Sequence, residues 1–398
     1  LGEYVIAVPF QRYDERHTDI FIEDIIHCLD QRTRYGLEIF GRANWDLFMI
    51  VFTSTDYVQH AMWDCLPEHL HSTPDRKRKK LADRLMDFYR KLDASVGSLL
   101  DGADENTQVF IISDHGFGPL EKKFFVSAWL EQLGLLHFSK GVGPAMRRLG
   151  VPVLSGMRAA AAKLDRYDLR HKLRRGSRRV ALDKVYDFID WSKTKAICGS
   201  YSEQGIYINT QGVWPNGIVS PGREYEEVRD HVISELRNLK DPDTGATIAV
   251  ECHRREEVYS GDHVSEAPDI IFMVDSGACI ADNMPSKVLF EKPNRIHGTG
   301  FHRLEGMLIA SGKGIRKNKT ISGARIIDMA PTLLYSMGLE IPHDADGSVL
   351  RDLFEPGFAS DRAERVRDPA VSQAAGDEAY SDEDSKIIEE RLRGLGYL

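Results

Sequence analysis

Neither paired cysteines nor a long apolar run occurs in this chain of 398 residues. The five cysteines stand at 28, 65, 198, 252 and 279, an odd number with no CxxC pair, which argues against a disulfide framework and against a thiolate zinc site. A reducing compartment fits that usage. No stretch approaches the roughly 18 apolar residues of a membrane-spanning helix. The opening LGEYVIAVPF holds neither a basic n-region nor a cleavage signal, so the expected location is cytoplasmic, although the chain starts without Met. A repeat of about 20–50 residues is also missing, which removes solenoids and propellers. What is present, 42% hydrophobic residues, is enough to bury one large core or two modest ones.

The net charge of -9 is unevenly placed. Residues 140–179 hold twelve Lys and Arg against Asp165 and Asp168, a local charge of +10 that leaves -19 for the rest. Such a segment attracts an anionic substrate or an anionic membrane surface, or is simply a solvated arm. Nucleic acid is the weakest of these partners, because Tyr167 is the one interleaved aromatic and no binding motif accompanies it. Residues 355–385 are rich in Asp, Glu, Ala, Ser and Gly and predict a loose linker. The expected organisation is a core over 1–358 with a basic insertion at about 136–182, then an acidic linker and a docking helix over 359–398.

Hydrophobic periodicity predicts a helix from Thr18 to Ile39 and a charged surface helix over 75–100. The run DLFMIVFT (46–53) and the segment QVFIIS (108–113) predict buried strands. Strand, helix, strand at this spacing is a βαβ unit, so a mostly parallel sheet with helices on both faces is expected, with ligands at the strand ends. Further on, GIYINT (205–210), PDIIFMV (268–274) and MLIASG (307–312) read as strands. REYEEVRDHVISELRNL (223–239) and IIDMAPTLLYSMG (326–338) read as helices, the second ending at Gly338.

Residues of the metal-binding type stand at three strand ends, two motifs after the strands at 46–53 and 108–113 and one just before the strand at 307–312. In TSTDYVQH, Asp56 and His60 stand four apart on one side of a helical turn. In SDHGFGP, Asp114 and His115 are followed by glycines that leave room for close approach. HGTGFHRLEG offers His297 and His302. Imidazole with carboxylate oxygen suits zinc or manganese better than calcium. Each piece alone also fits a bland role: a helix cap beside a solvated His, a turn with a capping Asp, a surface His. Asp328, opening a helix, reads as structural, and Lys122 and Lys123 as either phosphate-reaching or solvent-facing.

TDYVQHAMW, SDHGFGP and GFHRLEGMLIASGKGI, followed by DMAPTLLYSMGLEIP and LRGLGYL, together resemble the type I phosphodiesterase and nucleotide pyrophosphatase branch of the alkaline phosphatase superfamily. The resemblance implies a three-layer α/β/α sandwich and two divalent metals, zinc with manganese as the alternative. It implies that Asp56, His60 and His302 hold one metal, and that Asp114 and His115 hold the second. His302 is preferred to His297 for its distance from EGMLIASG. The implied chemistry is attack on a phosphate ester, from a small molecule or a lipid, by a metal-activated Thr or Ser, through a covalent phospho-enzyme. In the family that nucleophile stands at a helix N-terminus and one more Asp at the end of the first strand, both expected here in a segment upstream of Leu1, so the chain by itself is expected to be inactive. The competing readings are a non-catalytic pseudoenzyme and a phosphomutase or sulfatase relative.

Overall fold

The computed structural model describes residues 8, 18–66, 76–139, 189–199, 204–274, 279–282, 286–292, 298–360 and 366–367. The basic segment 140–179, His297 and residues 368–398 lie outside them. In chain order the helices are α1 (Thr18–Phe40), α2 (Ser54–Met62), α3 (Arg76–Leu100), α4 (Val126–Gln132), α5 (Arg223–Asn238), α6 (Arg255–Val258), α7 (Met329–Met337) and α8 (Pro356–Ser360). The strands are β1 (Gln108–Ile112), β2 (Gly116–Pro119), β3 (Lys122–Phe125), β4 (Ala196–Cys198), β5 (Gly205–Ile208), β6 (Ala249–Arg254), β7 (Ile270–Val274), β8 (Cys279–Asp282), β9 (Phe290–Glu291), β10 (Gly300–Arg303), β11 (Leu308–Gly312), β12 (Ile341–Pro342) and β13 (Val366–Arg367). No described helix is long and apolar enough to cross a membrane.

The chain forms two compact units, one of residues 1–117 with 302–398 and one of 118–301. In the first, α1 buries Phe21, Ile22, Ile25, Cys28 and Leu29, spaced three to four apart, against Leu81, Leu85 and Phe88 of α3. Lys91 to Asp30 at 2.8 Å and Arg84 to Asp19 tie the same helices at the surface. A second cluster joins β1 and β11, through Phe110, Leu308 and Ala310, to Tyr335 of α7 and to Phe354. Gly338 takes φ 73°, a left-handed turn that favours glycine, and its N–H closes the end of α7 on Leu334 and Tyr335.

The second unit is built on the antiparallel sheet β4-β5-β7-β6 and the three-stranded sheet β8-β3-β9. Helix α5 lays Val228, Val232 and Leu236, one helical row, toward apolar cores of this unit. Asp269, buried just before β7, accepts from Ile208 N–H and from the Tyr225 hydroxyl, each at 2.6 Å, and pairs with Arg255 at 3.1 Å. The same carboxylate, with burial as the larger cause, pushes the Tyr225 phenol far above its ordinary value.

The helices expected at 18–39, 75–100, 223–239 and 326–338 appear, as do the strands expected near 108, 205, 268 and 307. Two expectations need correction. Asp46–Thr53 runs from a bend at Asp46 to the helical turn at Thr53 and joins no described strand. Its side chains alternate: Phe48 meets Phe40 and Ile50 covers Gly36 on α1, while Leu47, Met49 and Val51 are 56%, 79% and 59% exposed. The run is therefore apolar on both faces yet covered on one among the described residues. Nor do the described strands form a mostly parallel sheet. β1 pairs antiparallel with β11 and β3 with β9, the sheet β4-β5-β7-β6 is antiparallel throughout, and β3 with β8 and β12 with β13 are parallel.

Asp328 is structural, but it does not cap α7. Its two oxygens accept from Arg325 N–H at 2.9 Å and Ser348 N–H at 2.8 Å. Burial works to raise the carboxyl pKa, yet these bonds and the Arg325 charge win, holding it below the ordinary carboxylate range. A depressed folded pKa contributes stability above the unfolded value of about 3.9, lost as pH falls through the folded one. Asp328→Asn should therefore cost about 1–3 kcal/mol at pH 7, and the gap to wild type should close in acid melts carried below about pH 3. Along Asp46–Thr53, Ile50→Ala should cost about 1–3 kcal/mol and Met49→Ala stay within about 0.5 kcal/mol, which paired denaturation curves measure.

Candidate metal centre

Helix α2 places the first two donors. Buried Arg32 of α1 donates to the Val51 carbonyl at 2.7 Å and to Thr53 Oγ1 at 2.9 Å, fixing the chain just before α2 begins. Asp56 and His60 then fall one turn apart, with Asp56 Oδ1 3.6 Å from His60 Nε2. The third donor comes from β10. His302 Nε2 lies 2.9 Å from His60 Nε2 and 3.1 Å from Asp56 Oδ1.

Those three separations decide what the cluster suits. Zinc with bonds of about 2.0–2.1 Å needs donors about 3.3 Å apart at tetrahedral corners. Distances of 2.9, 3.1 and 3.6 Å bracket that edge. Hydrogen bonding alone serves the trio poorly. If the His302 Nε2 proton goes to Asp56, His302 has no lone pair left at that nitrogen for His60, and the reverse holds if His302 accepts. A cation between them relieves all three contacts at once. These residues form the group, among those described, whose donor atoms lie close enough to hold a metal ion.

The carboxylate is tuned to match. Burial would raise the pKa of Asp56, but the hydrogen bond from His302 and the neighbouring His60, His302 and His115 outweigh it and hold the group below its ordinary value. Asp56 thus stays ionised at neutral pH.

His115 borders the trio. Its Nδ1 lies 3.1 Å from the Gly116 carbonyl, an acceptor only, so Nδ1 carries a proton and the neutral ring has its lone pair on Nε2. That Nε2 is 3.8 Å from Asp56 Oδ1 and 3.6 Å from Asp114 Oδ1, and the ring stacks on His302 with centroids 3.7 Å apart. The Asp114 side chain is 73% exposed and accepts from the His115 N–H at 3.1 Å. The five residues expected as ligands are thus adjacent in space, with Asp56, His60 and His302 converging and Asp114 and His115 beside them.

Two features were not anticipated from the sequence. Phe117 stands in ring contact with His60, His115 and His302, and Trp63 stacks behind it. Trp63 follows Asp56 and His60 at i+7 and i+3, a spacing that signals one helical face. Ser113 locks the two loops of the site together: its Oγ accepts from Met307 N–H at 2.8 Å and its N–H donates to the Met307 carbonyl at 3.1 Å. The lysines after the DHG loop are placed otherwise than a phosphate-reaching role needs. Lys122 is held by Asp241 and by Asp243, the latter at 2.8 Å, and Lys123 is buried.

Residues 5–300 match the family model described as type I phosphodiesterase / nucleotide pyrophosphatase, about three quarters of the chain. The match takes in Asp56, His60, Asp114 and His115 and ends two residues before His302, which the fold carries to them. No curated protein and no solved structure matches the chain. With that span matched over about three quarters of the chain, and with Asp56 and His60 of the Asp-His-His cluster inside it, the chain belongs to the type I phosphodiesterase/nucleotide pyrophosphatase family of the alkaline phosphatase superfamily.

Proposed function

We propose that the protein is a metal-dependent hydrolase of phosphoric esters, acting on a phosphodiester or phosphomonoester of a small molecule or a lipid. The observation that carries this reading is the convergence of Asp56 Oδ1, His60 Nε2 and His302 Nε2 within 2.9–3.6 Å, in a chain of this family. Asp56, His60 and His302 would hold one divalent ion, and Asp114 with His115 would contribute to a second, zinc in both with manganese as the alternative. When bound, such ions supply Lewis-acid stabilisation of phosphoryl charge and lower the pKa of a hydroxyl.

The protein's own residues prepare that chemistry. Asp56 remains ionised beside the imidazoles and brings the negative charge that a dication requires. The Gly116 carbonyl holds the His115 proton on Nδ1, so Nε2 turns its lone pair inward. The nucleophile assigned is a Thr or Ser hydroxyl delivered from outside this cluster, on the three-layer sandwich of the superfamily. The basic segment 140–179 would draw an anionic substrate or membrane surface toward the protein.

Titration with zinc followed by calorimetry tests the ligand set. Asp56→Ala, His60→Ala and His302→Ala should each weaken binding by about tenfold or more, and His297→Ala should leave it within about twofold. The converse for the two histidines would move the third ligand to His297. Hydrolysis is tested on the native protein isolated from its source, with p-nitrophenyl phosphate and its bis ester. Turnover should stop in EDTA and return with zinc or manganese, whereas turnover indifferent to chelation sinks the reading.

A further inference from the structure

We infer that Phe117, backed by Trp63, is a positioning residue that sets the orientation of the imidazole ligands. The inference rests on the metal-centre reading above. Phe117 sits on β2 directly after the His115–Gly116 step, and its ring makes contact with histidines from three separate segments. The His60 ring on α2 lies 4.8 Å away at 82°, and the His302 ring on β10 lies 5.1 Å away at 80°. The His115 ring lies 5.6 Å away at 55°. The first two are near-perpendicular aromatic contacts at the separation such pairs prefer.

Orientation matters here because an imidazole ligates through a lone pair in its own plane, and the torsion that turns the ring is broad and nearly two-fold. A ring free to rotate or flip would spread its Nε2 over positions unsuited to the 2.9–3.6 Å triangle. His115 is fixed by its bond to the Gly116 carbonyl. For His60 and His302 a common planar wall, Phe117, limits the tilt of both rings together.

The wall is itself fixed from two sides. Trp63 stacks on it at 6.2 Å and 23°, from the turn that continues α2, so one helix supplies Asp56, His60 and the buttress. On the backbone side, a Cβ on Gly116 would lie 1.9 Å from the Glu305 carbonyl oxygen. The strand carrying Phe117 therefore presses directly on the loop that follows His302 and has little room to move toward it. Phe117 links donors that the sequence separates by up to 242 positions, His60 to His302.

The experiment compares wild type, Phe117→Leu, Phe117→Ala and Trp63→Phe for zinc affinity and for the visible absorption of the cobalt(II)-loaded protein, with thermal melts as the check on folding. Phe117→Leu keeps an apolar side chain and removes the ring. It should weaken zinc binding about ten- to a hundredfold, the range seen when supporting residues around ligands are lost. Its cobalt absorption should fall in intensity as the ligand geometry departs from tetrahedral. Trp63→Phe should shift both readouts less and in the same direction. If Phe117→Ala fails to fold, Phe117→Leu decides. Binding by Phe117→Leu within about twofold of wild type, with an unchanged cobalt spectrum, overturns the positioning role and leaves the metal centre standing. Failure of wild type itself to take up zinc or cobalt overturns both.

Discussion

One carboxylate oxygen and two imidazole nitrogens crowd within 2.9–3.6 Å of one another, and one proton cannot satisfy the contacts between them. Lone pairs packed this closely repel one another, and a cation in the middle turns that repulsion into attraction. The rest of the first unit holds these three groups in place. Arg32 fixes the chain entering α2, so that Asp56 and His60 share a face. Ser113 and Met307 bond reciprocally and hold the loop after β1 against the entry to β11, so that His302 returns from a distant part of the chain to meet them.

The helices were legible because each shows one apolar row. In α5, Val228, Val232 and Leu236 repeat every four residues and are buried as that spacing requires. The metal ligands were legible for a different reason. An Asp and a His four apart after one apolar run, an adjacent Asp and His after another, and a late histidine match a family order, and all five residues named that way lie together. Burial patterns and strand direction were less accessible. Continuous apolarity over 46–53 says that the segment avoids water, but it does not say which neighbour covers each face. A strand also needs a ladder partner, and the partner of β1 turned out to be β11, some two hundred residues later and antiparallel. Composition cannot encode that pairing.

Charged residues show the same limit. Lys122 and Lys123, adjacent and basic after the DHG loop, read equally as phosphate-reaching or solvent-facing. Lys122 is instead matched by Asp241 and Asp243, and in this pair the lysine is raised and Asp241 lowered from their ordinary values, hydrogen bonding to each other being the first cause in both. A cation already matched by two carboxylates has little to offer a phosphate without first breaking those contacts. Nothing local announces the pairing, since the acids lie more than a hundred residues downstream.

The glycines around the site show how a correct expectation acquires a different cause. The glycines after Asp114 and His115 are expected to leave room for close approach. At Gly116 the space is taken by protein backbone, with the Glu305 carbonyl where a Cβ would stand, and at Gly306 a Cβ would meet Ser113 Oγ at 2.6 Å. Side chains there would separate the loop carrying Asp114 and His115 from the strand carrying His302. The geometry that a cation needs is specified to within a few tenths of an ångström, and it is set across two loops that touch through the absence of two Cβ atoms. Substitution at these glycines would thus act on the metal centre through loop separation, without altering any ligand.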